Sequence, residues 1–302
     1  MSTRTTEQLH EAAIGLDNRP IEEVAAILAQ GQAAAAAAVA GARDAICAGA
    51  TLMARTISEG GVLHYAAAGS SGLMAASDAL ELGGTFSISP AQIRIHMAGG
   101  MPTGVVMPGD TEDDTAGLQA GLAGLGPCDT VIAVSASGTT PYTLEALRLA
   151  QRAGAPVIAI ANNAGAPLLE GADVAILLET PPEVISGSTR MGAGTAQKIA
   201  LNMLSTLMAV RLGHVHDGMM VNLTADNAKL RERARGIVTQ VASVDAAAAE
   251  AALAQTDGRV KPAILLAAGA RDAQAATELL EETGGHIRPA LARVAEQQTE
   301  NQ

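Results

Sequence analysis

Two short segments of the sequence combine glycine with serine or threonine in a way that suits the binding of a phosphate group. Residues 68–72 read Ala-Gly-Ser-Ser-Gly, and residues 135–141 read Ser-Ala-Ser-Gly-Thr-Thr-Pro. Each segment follows an apolar run and precedes a helical pattern, so it places unpaired N–H groups and hydroxyls at a helix start, where the helix dipole favours an anion. The first segment is neither a Walker loop nor a dinucleotide fingerprint. From the pattern alone, two helix-capping turns without a ligand remain an alternative. The candidate phosphate-binding residues are Gly69, Ser70, Ser71, Ser135, Ser137, Gly138 and Thr140.

Other reactive side chains form weaker patterns. Residues 214–217, His-Val-His-Asp, resemble part of a metal cluster. No further ligand lies nearby in the sequence, so we expect no metal site. Cys47 and Cys128 are the two cysteines, too few for a disulfide framework. His286, in a Gly-Gly-His motif near the end of the chain, either contacts the ligand or caps a helix.

The elements that position the two segments follow from the hydrophobic pattern. Between residues 61 and 180, short apolar runs alternate with helical patterns, which is typical of a parallel sheet covered by helices on both faces. We therefore predict an α/β sandwich, in which ligands bind at the carboxyl ends of the strands. The predicted strands are 62–68, 92–97, 130–134, 156–161 and 173–178, and the predicted intervening helices are 71–82, 111–122 and 140–153.

Helical patterns also flank the predicted sheet. In the N-terminal part, the alanine run 33–42 continues into an amphipathic helix that ends at Gly60-Gly61. The later pattern 191–212 is apolar almost all round, as expected of a helix buried in a core or an interface. We predict three parts, which are an N-terminal helical segment (1–60), a sheet domain (61–223) and a small C-terminal helical module (224–302).

Composition and charge exclude several classes of partner. The 302 residues include 31 acidic and 19 basic side chains, which gives a net charge of −12. A nucleic-acid duplex or an anionic membrane requires a basic surface, so we expect neither as a partner. No uninterrupted apolar run approaches the roughly 20 residues of a membrane span, and the first residues lack the apolar stretch of a signal peptide. We expect a cytoplasmic protein, for which a small anionic ligand remains possible.

The two segments resemble the phosphate loops of sugar isomerase (SIS) domains, and the rest of the chain resembles one subgroup of them. That subgroup is the N-acetylmuramic acid 6-phosphate etherases, to which the SIS domains of the glucokinase regulatory protein are related. The most specific match is residues 187–198, Gly-Ser-Thr-Arg-Met-Gly-Ala-Gly-Thr-Ala-Gln-Lys. The resemblance covers nearly the whole chain, since it extends to Thr6-Glu7 and to residues 201–206, 227–230 and 284–288.

This resemblance implies a fold, a reaction and a set of site residues. The fold is a SIS-type three-layer αβα sandwich with a five-stranded parallel sheet. The reaction cleaves the lactyl ether of N-acetylmuramic acid 6-phosphate by elimination and hydration. It yields N-acetylglucosamine 6-phosphate and D-lactate, without a metal or organic cofactor, in the recycling of cell-wall sugars. The resemblance also implies a homodimer, and it adds Ser188, Arg190 and Lys198 to the substrate-binding residues.

The resemblance assigns the catalytic roles to two glutamates. Glu81 ends the segment Asp-Ala-Leu-Glu in the helix after the first loop, and it is the acid that protonates the departing ether oxygen. Glu112 begins a Glu-Asp pair at the start of a later helix, and it is the base that removes the proton beside the open-chain aldehyde. Two carboxyl groups can share these roles if their environments separate their pKa values. Without the resemblance, both would be assigned as ordinary solvated helix residues.

The sequence departs from the family's pattern at three cationic positions. Leu73, Thr139 and Gly192 stand where etherases usually carry Arg, Arg and Lys, and Leu82-Gly83-Gly84 replaces the usual Cys-Pro-Pro. Each charge-assisted hydrogen bond contributes about 1.5–3 kcal/mol. Either other cations supply this charge, or the substrate is a different sugar phosphate. The candidate cations are Arg190, Lys198 and Arg288. Two alternatives stay open, which are an isomerase or deglycase for another sugar phosphate and a non-catalytic sugar-phosphate sensor.

Overall fold

The computed structural model describes residues 4–107 and 111–300. The chain divides into two compact units, Met1–Leu80 with Pro90–Leu207 and Glu81–Ser89 with Met208–Gln302. These units differ from the three predicted parts, because the second unit begins before residue 224 and includes the short segment 81–89. Hydrogen bonds within the second unit explain this division. The side-chain amide of Asn222 donates to the carbonyl of Phe86 over 3.0 Å, and the hydroxyl of Ser87 donates to the carbonyl of Asn222 over 2.6 Å.

A five-stranded parallel sheet forms the centre of the first unit. Its strands are β1 (Leu63–Ala67), β2 (Ile93–Met97), β3 (Thr130–Val134), β4 (Val157–Ala161) and β5 (Val174–Leu177). The strand order is β2-β1-β3-β4-β5, and every neighbouring pair is parallel. The direction of winding reverses between β1 and β3, so the segments that follow these two strands start side by side at the carboxyl edge. The predicted sheet is confirmed, and both hydroxyl-rich segments begin at this reversal.

The inner strands are buried along their whole length, which explains their nearly continuous apolar composition. Every residue of β1, β3 and β4 is buried, whereas the edge strands β2 and β5 are partly exposed. The chain has no Trp and a single Phe, so aliphatic side chains fill the core. Tyr65 of β1, at 1% exposure, is among the largest buried side chains.

Helices cover the sheet as the sequence predicts. They are α1 (Ile21–Ala38), α2 (Arg43–Ser58), α3 (Gly69–Phe86), α4 (Ala116–Gly121), α5 (Pro141–Ala153), α6 (Pro167–Glu170) and α7 (Gly192–Arg211). The alanine run does not continue directly into the next helix, because a 3-10 turn at Val39–Ala42 separates α1 from α2.

The predicted helix 111–122 is wrong in its first half. Helix α4 begins only at Ala116, because the carboxylate of Asp114 accepts a hydrogen bond from the Ala116 N–H over 3.0 Å and so forms a local turn. Glu112 therefore lies in a turn before the helix and not in its first turn.

One helical stretch has the length and composition of a membrane span. Ile21–Ser58 contains an 18-residue window of mean hydropathy 1.5, of which 11% is buried. The helices Ala228–Ala242 and Ala246–Gln255, which are bent against each other, also reach the length and hydropathy of a span when they are taken together. Core helices of soluble proteins do so too. Helix α2 is such a helix on one face, since Ile46 and Met53 are fully buried. Length and composition alone are therefore weak evidence of a membrane segment.

The second unit is helical apart from one short hairpin. Strands β6 (Val215–His216) and β7 (Met219–Met220) pair antiparallel, and the helices that follow are α8 (Ala228–Ala242), α9 (Ala246–Gln255), α10 (Val260–Ala267), α11 (Ala273–Glu282) and α12 (Ile287–Glu300). Helix α10 contacts the other four helices, and Ala263, Ile264 and Leu265 within it are fully buried. This unit forms its own hydrophobic core.

Candidate active site

The second hydroxyl-rich segment, Ser135–Thr140, is folded by hydrogen bonds among its own side chains. The hydroxyl of Ser135 lies 2.8 Å from that of Thr140 and accepts a bond from the Gly138 N–H over 3.0 Å. The hydroxyl of Ser137 lies 3.3 Å from that of Ser135 and accepts a bond from the Thr139 hydroxyl over 3.1 Å. These bonds fix the segment in one compact shape at the end of β3.

Gly138 is required for this shape. Its φ of 66° lies in the left-handed region that glycine adopts without strain. A Cβ at this position would lie 2.4 Å from the Cβ of Ala166 and 3.1 Å from that of Ala161. The backbone at Gly138 therefore packs closely against the segment that follows β4.

The first segment, Gly69–Gly72, forms the first turn of helix α3. The N–H of Gly72 donates to the carbonyl of Ala68 over 2.9 Å. The N–H groups before it have no acceptor within the helix. The hydroxyls of Ser70 and Ser71 form no hydrogen bond within the described part of the chain. The segment thus offers free donors at the positive end of a helix.

A carboxylate lies directly above this helix start. Gly69 has a φ of 54°, and a Cβ there would lie 2.8 Å from Oε1 of Glu112. The backbone carbonyl of Glu112 accepts a hydrogen bond from the N–H of Tyr142 over 3.1 Å, which joins its turn to the start of α5. The absence of a side chain at Gly69 therefore allows the Glu112 carboxylate to approach the first segment.

The two segments and Glu112 line one polar cavity of about 150 Å³ in the first unit. Its walls include Ser70 and Ser71 from the first segment and Ser135, Ser137 and Thr140 from the second. None of the lining residues is Lys or Arg, so an anion in this cavity would be held by hydroxyls, amides and helix dipoles. This arrangement is suited to a phosphate group, with the Glu112 carboxylate next to the attached carbon skeleton.

Six predicted site residues do not line this cavity, and two of them are Gly69 and Gly138, which belong to the two segments themselves. Ser188 is half-buried between two lining residues, and Arg190 is exposed in the same loop. Lys198 is exposed on α7, where its ammonium donates to the side chain of Asn202 over 2.5 Å. Glu81 is exposed on α3 and belongs to the second unit.

The third candidate cation, Arg288, is also occupied elsewhere. It forms an ion pair of 2.5 Å with Asp217 in the hairpin turn of the second unit. Residues 214–217 thus belong to a hairpin and its turn. The described residues contain no group of three or more His, Cys, Asp or Glu side chains placed to hold a metal ion.

The site also includes residues that the sequence analysis did not assign to it. Glu7, Thr6, Gly187 and Thr189 line the cavity. Thr6-Glu7 was recognised only as part of the family resemblance, and no spacing within the sequence connects it to loops more than sixty residues away. Gly187 and Thr189 flank the predicted Ser188, so the loop that carries Ser188 reaches the cavity.

A buried polar network holds α3 and α7 together behind the site. Asp78 of α3 accepts hydrogen bonds from Asn202 and Ser205 of α7, each over 2.8 Å, and from the Tyr65 hydroxyl over 3.2 Å. Burial raises the pKa of Asp78, although these three donors act in the opposite direction. Burial, and then the charge of Asp78, raises the pKa of Tyr65 well above its usual value. The network fixes the helix that carries Ser70 and Ser71.

The fold is that of a sugar isomerase (SIS) domain. The model of the family described as SIS domain matches residues 107–211. Among solved structures, a putative phosphosugar isomerase involved in capsule formation from Bacteroides fragilis superposes with a TM-score of 0.51. It is 22% identical, and the superposition covers 66% of this chain and 95% of that one. This similarity confirms the predicted SIS-type αβα fold.

The relatives in sequence are more specific. A protein of Deinococcus radiodurans named N-acetylmuramic acid 6-phosphate etherase is 44% identical over 265 residues, which cover 87% of each chain. A protein of Burkholderia lata with the same name is 42% identical over 261 residues, or 86% of each chain. The chain belongs to the N-acetylmuramic acid 6-phosphate etherase family.

Proposed function

We propose that the protein is an N-acetylmuramic acid 6-phosphate etherase, a carbon–oxygen lyase that acts on a phosphorylated amino sugar. The observation that carries this proposal is the convergence of two hydroxyl-rich helix starts and Glu112 on one cavity. The relatives at 42–44% identity over most of their length carry the etherase name. The fold alone would not distinguish a lyase from an isomerase.

In this proposal the phosphate occupies the cavity between the two segments. The hydroxyls of Ser70, Ser71, Ser135, Ser137 and Thr140, with the free N–H groups of α3, donate hydrogen bonds to its oxygens. These donors compensate for the cations that are missing at positions 73, 139 and 192, because each hydrogen bond to a charged acceptor is about twice as strong as a neutral one. Gly69 and Gly138 permit the close approach of the backbone.

The reaction is an elimination followed by addition of water. Glu112 removes the proton from the carbon next to the open-chain aldehyde, and the electron pair forms a double bond as the bond between the neighbouring carbon and the ether oxygen breaks. An acid protonates the departing oxygen to give D-lactate. Water then adds to the double bond, and the product is N-acetylglucosamine 6-phosphate. No metal or organic cofactor takes part.

We assign the acid role to Glu81 on the basis of the family's Asp-Ala-x-Glu motif, which residues 78–81 match.

We also propose a homodimer. Ile199, Met203 and Leu207 line a groove of about 410 Å³ on α7, and Leu80 of α3 is 67% exposed. A second copy of the chain would bury these apolar side chains. Sedimentation at the assay concentration measures this directly.

We place the protein in the cytoplasm, in the breakdown of cell-wall amino sugars, and expect no nucleic-acid or membrane partner. A phosphorylated sugar is a ligand of the cell interior, and the cysteines Cys47 and Cys128 are free and exposed. The net charge of −12 opposes binding to polyanions.

The test is the release of D-lactate from N-acetylmuramic acid 6-phosphate. We expect Glu112→Gln and Glu81→Gln each to lower kcat by about 100- to 10,000-fold, because each removes a proton-transfer group. Asp113→Asn is the matched control, since Asp113 neighbours Glu112 but does not line the cavity. It should leave kcat nearly unchanged.

Two other outcomes would replace the proposal. Interconversion of a sugar phosphate without lactate would indicate an isomerase, a reaction that the missing cations leave open. Tight binding of the sugar phosphate with no turnover of any candidate would indicate a sensor.

A further inference from the structure

Glu7 lies in a short 3-10 turn, Thr5–Glu7, whose backbone is fastened to the site. Thr6 is 2% exposed, and its hydroxyl accepts a hydrogen bond from Asn163 over 3.2 Å. The carbonyl of Thr6 accepts a bond from the Gly187 N–H over 3.0 Å, and the carbonyl of Glu7 accepts one from the Ser186 hydroxyl over 3.1 Å. The position of Glu7 is thus fixed by two loops of the first unit.

One of these contacts reaches the second phosphate segment. The side-chain amide of Asn163, which follows β4, donates to the carbonyl of Ala136 over 2.9 Å as well as to Thr6. Asn163 is itself 5% exposed, so this bridge is buried. The turn that carries Glu7 and the segment Ser135–Thr140 are therefore held in one fixed arrangement.

Glu7 is exposed, and its carboxylate lies beside Gly187 at the wall of the cavity. It lines the same cavity as Glu112, and over the described range of the chain it forms no hydrogen bond or ion pair. A carboxylate beside a phosphate pocket repels the phosphate, so its place there needs a compensating attraction. An ionised carboxylate only accepts hydrogen bonds, and a phosphate dianion only accepts them too. A hydrogen-bond donor on the rest of the ligand would supply this attraction.

We propose that Glu7 is a substrate-binding residue that accepts a hydrogen bond from a hydroxyl of the sugar, on the carbons next to the one that bears the phosphate. The phosphate fills the floor of the cavity between the two segments, and Glu7 and Glu112 contact the carbon chain above it. This inference rests on the proposed function only in taking a phosphosugar as the ligand. It gives the N-terminal turn a role in selecting a sugar phosphate over free phosphate.

The test measures the binding of inorganic phosphate and of N-acetylglucosamine 6-phosphate by titration calorimetry. Both ligands are titrated into the wild type, Glu7→Gln, Glu7→Ala and the control variant Glu11→Ala. Glu11 is exposed in the next 3-10 turn and does not line the cavity. We expect Glu7→Ala to weaken binding of the sugar phosphate by about tenfold or more, as for the loss of a hydrogen bond to a charged group. Glu7→Gln, which keeps a neutral acceptor, should be intermediate. Inorganic phosphate should bind the Glu7 variants as tightly as the wild type or more tightly, because a repelling charge is gone.

Each contrary result overturns the inference in a recognisable way. Equal losses for both ligands would show that Glu7 only supports the loops, and no loss for the sugar phosphate would show that it does not touch the sugar. Failure of the wild type to bind the sugar phosphate would also overturn it. A wild type that binds N-acetylglucosamine 6-phosphate but releases no D-lactate from N-acetylmuramic acid 6-phosphate would overturn the etherase proposal and leave the Glu7 comparison intact.

Discussion

The two phosphate segments reach the same cavity with different internal structures. In Ser135–Thr140 the hydroxyls are bonded to one another and to backbone N–H groups, and Ser135 is only 3% exposed. In Gly69–Gly72 the hydroxyls of Ser70 and Ser71 have no partner among the residues that the structure describes. The second segment is thus shaped before a ligand arrives, whereas the first keeps its donors free for the ligand.

This difference separates the sources of stability and of affinity within one site. Removal of a hydroxyl that supports the fold of a loop lowers the stability of the protein. Removal of a free hydroxyl that binds the ligand lowers the affinity instead. A preorganised loop also spends little of the binding energy on ordering. The contrast can be tested by substitutions that affect only one of the two functions.

The largest effect is expected for Gly138→Ala in the second segment. An alanine is strained at the positive φ of this position, and its Cβ would lie 2.4 Å from the Cβ of Ala166. Together these two effects should destabilise the protein by about 3 kcal/mol or more. Gly165→Ala is the matched control, because Gly165 has the same φ of 66° but no atom within 4 Å of the added Cβ. It should cost only about 1–2 kcal/mol of backbone strain. Urea unfolding measures both, and equal losses would show that the close packing of the second segment contributes nothing.

A smaller and more selective effect is expected from a pair of serine substitutions. Ser135→Ala leaves the buried N–H of Gly138 without its acceptor, so it should lower the free energy of unfolding by about 1–3 kcal/mol. Ser71→Ala should change stability by no more than about 0.5 kcal/mol. It should weaken phosphate binding about tenfold. Urea unfolding and phosphate titration of the two variants provide the comparison. Similar stability losses in both would contradict the contrast between the segments.

The smallest effect concerns the strands beneath the two segments. The ring of His64 in β1 stacks on the ring of His96 in β2, and Nδ1 of His64 lies 2.9 Å from Nε2 of His96. Strand β3, in contrast, is uncharged. Burial lowers the pKa of both histidines, that of His96 to about 4. Between pH 6.5 and 4 the unfolded chain therefore binds more protons than the folded one, and stability falls as the pH falls.

His96→Asn should reduce this dependence on pH. We expect the free energy of unfolding to fall less between pH 7 and 5 in the variant than in the wild type, as measured by urea unfolding at each pH. An unchanged slope would show that the histidine pair does not contribute to it.

The sequence predicts the sheet and both phosphate segments because these depend on local patterns. Two apolar runs of five residues, each followed by glycine with serine or threonine, specify a buried parallel strand and a helix start without reference to distant parts of the chain. The strand order then brings the two segments together by a general rule of such sheets. The same local reasoning fails at Glu112, where the Asp114 turn delays the start of α4.

Residues brought in from far along the chain could not be predicted. Glu7 reaches the cavity through the contacts of Thr6 with Asn163 and Gly187, more than 150 residues away. Arg190 and Lys198 were predicted from a specific motif, yet they lie outside the cavity because the motif fixes their place in a loop and a helix and not the direction of their side chains.

The position of Tyr142 gives the molecule an optical property. The chain has no Trp and two Tyr residues, of which Tyr65 is bonded to Asp78 in the core and Tyr142 donates its N–H to Glu112 at the rim of the cavity. The tyrosine fluorescence of the protein therefore comes from two buried rings of the first unit, and the ring of Tyr142 packs in a hydrophobic cluster with Leu118 and Ala146. Its emission reports on the packing of this unit, without any attached dye.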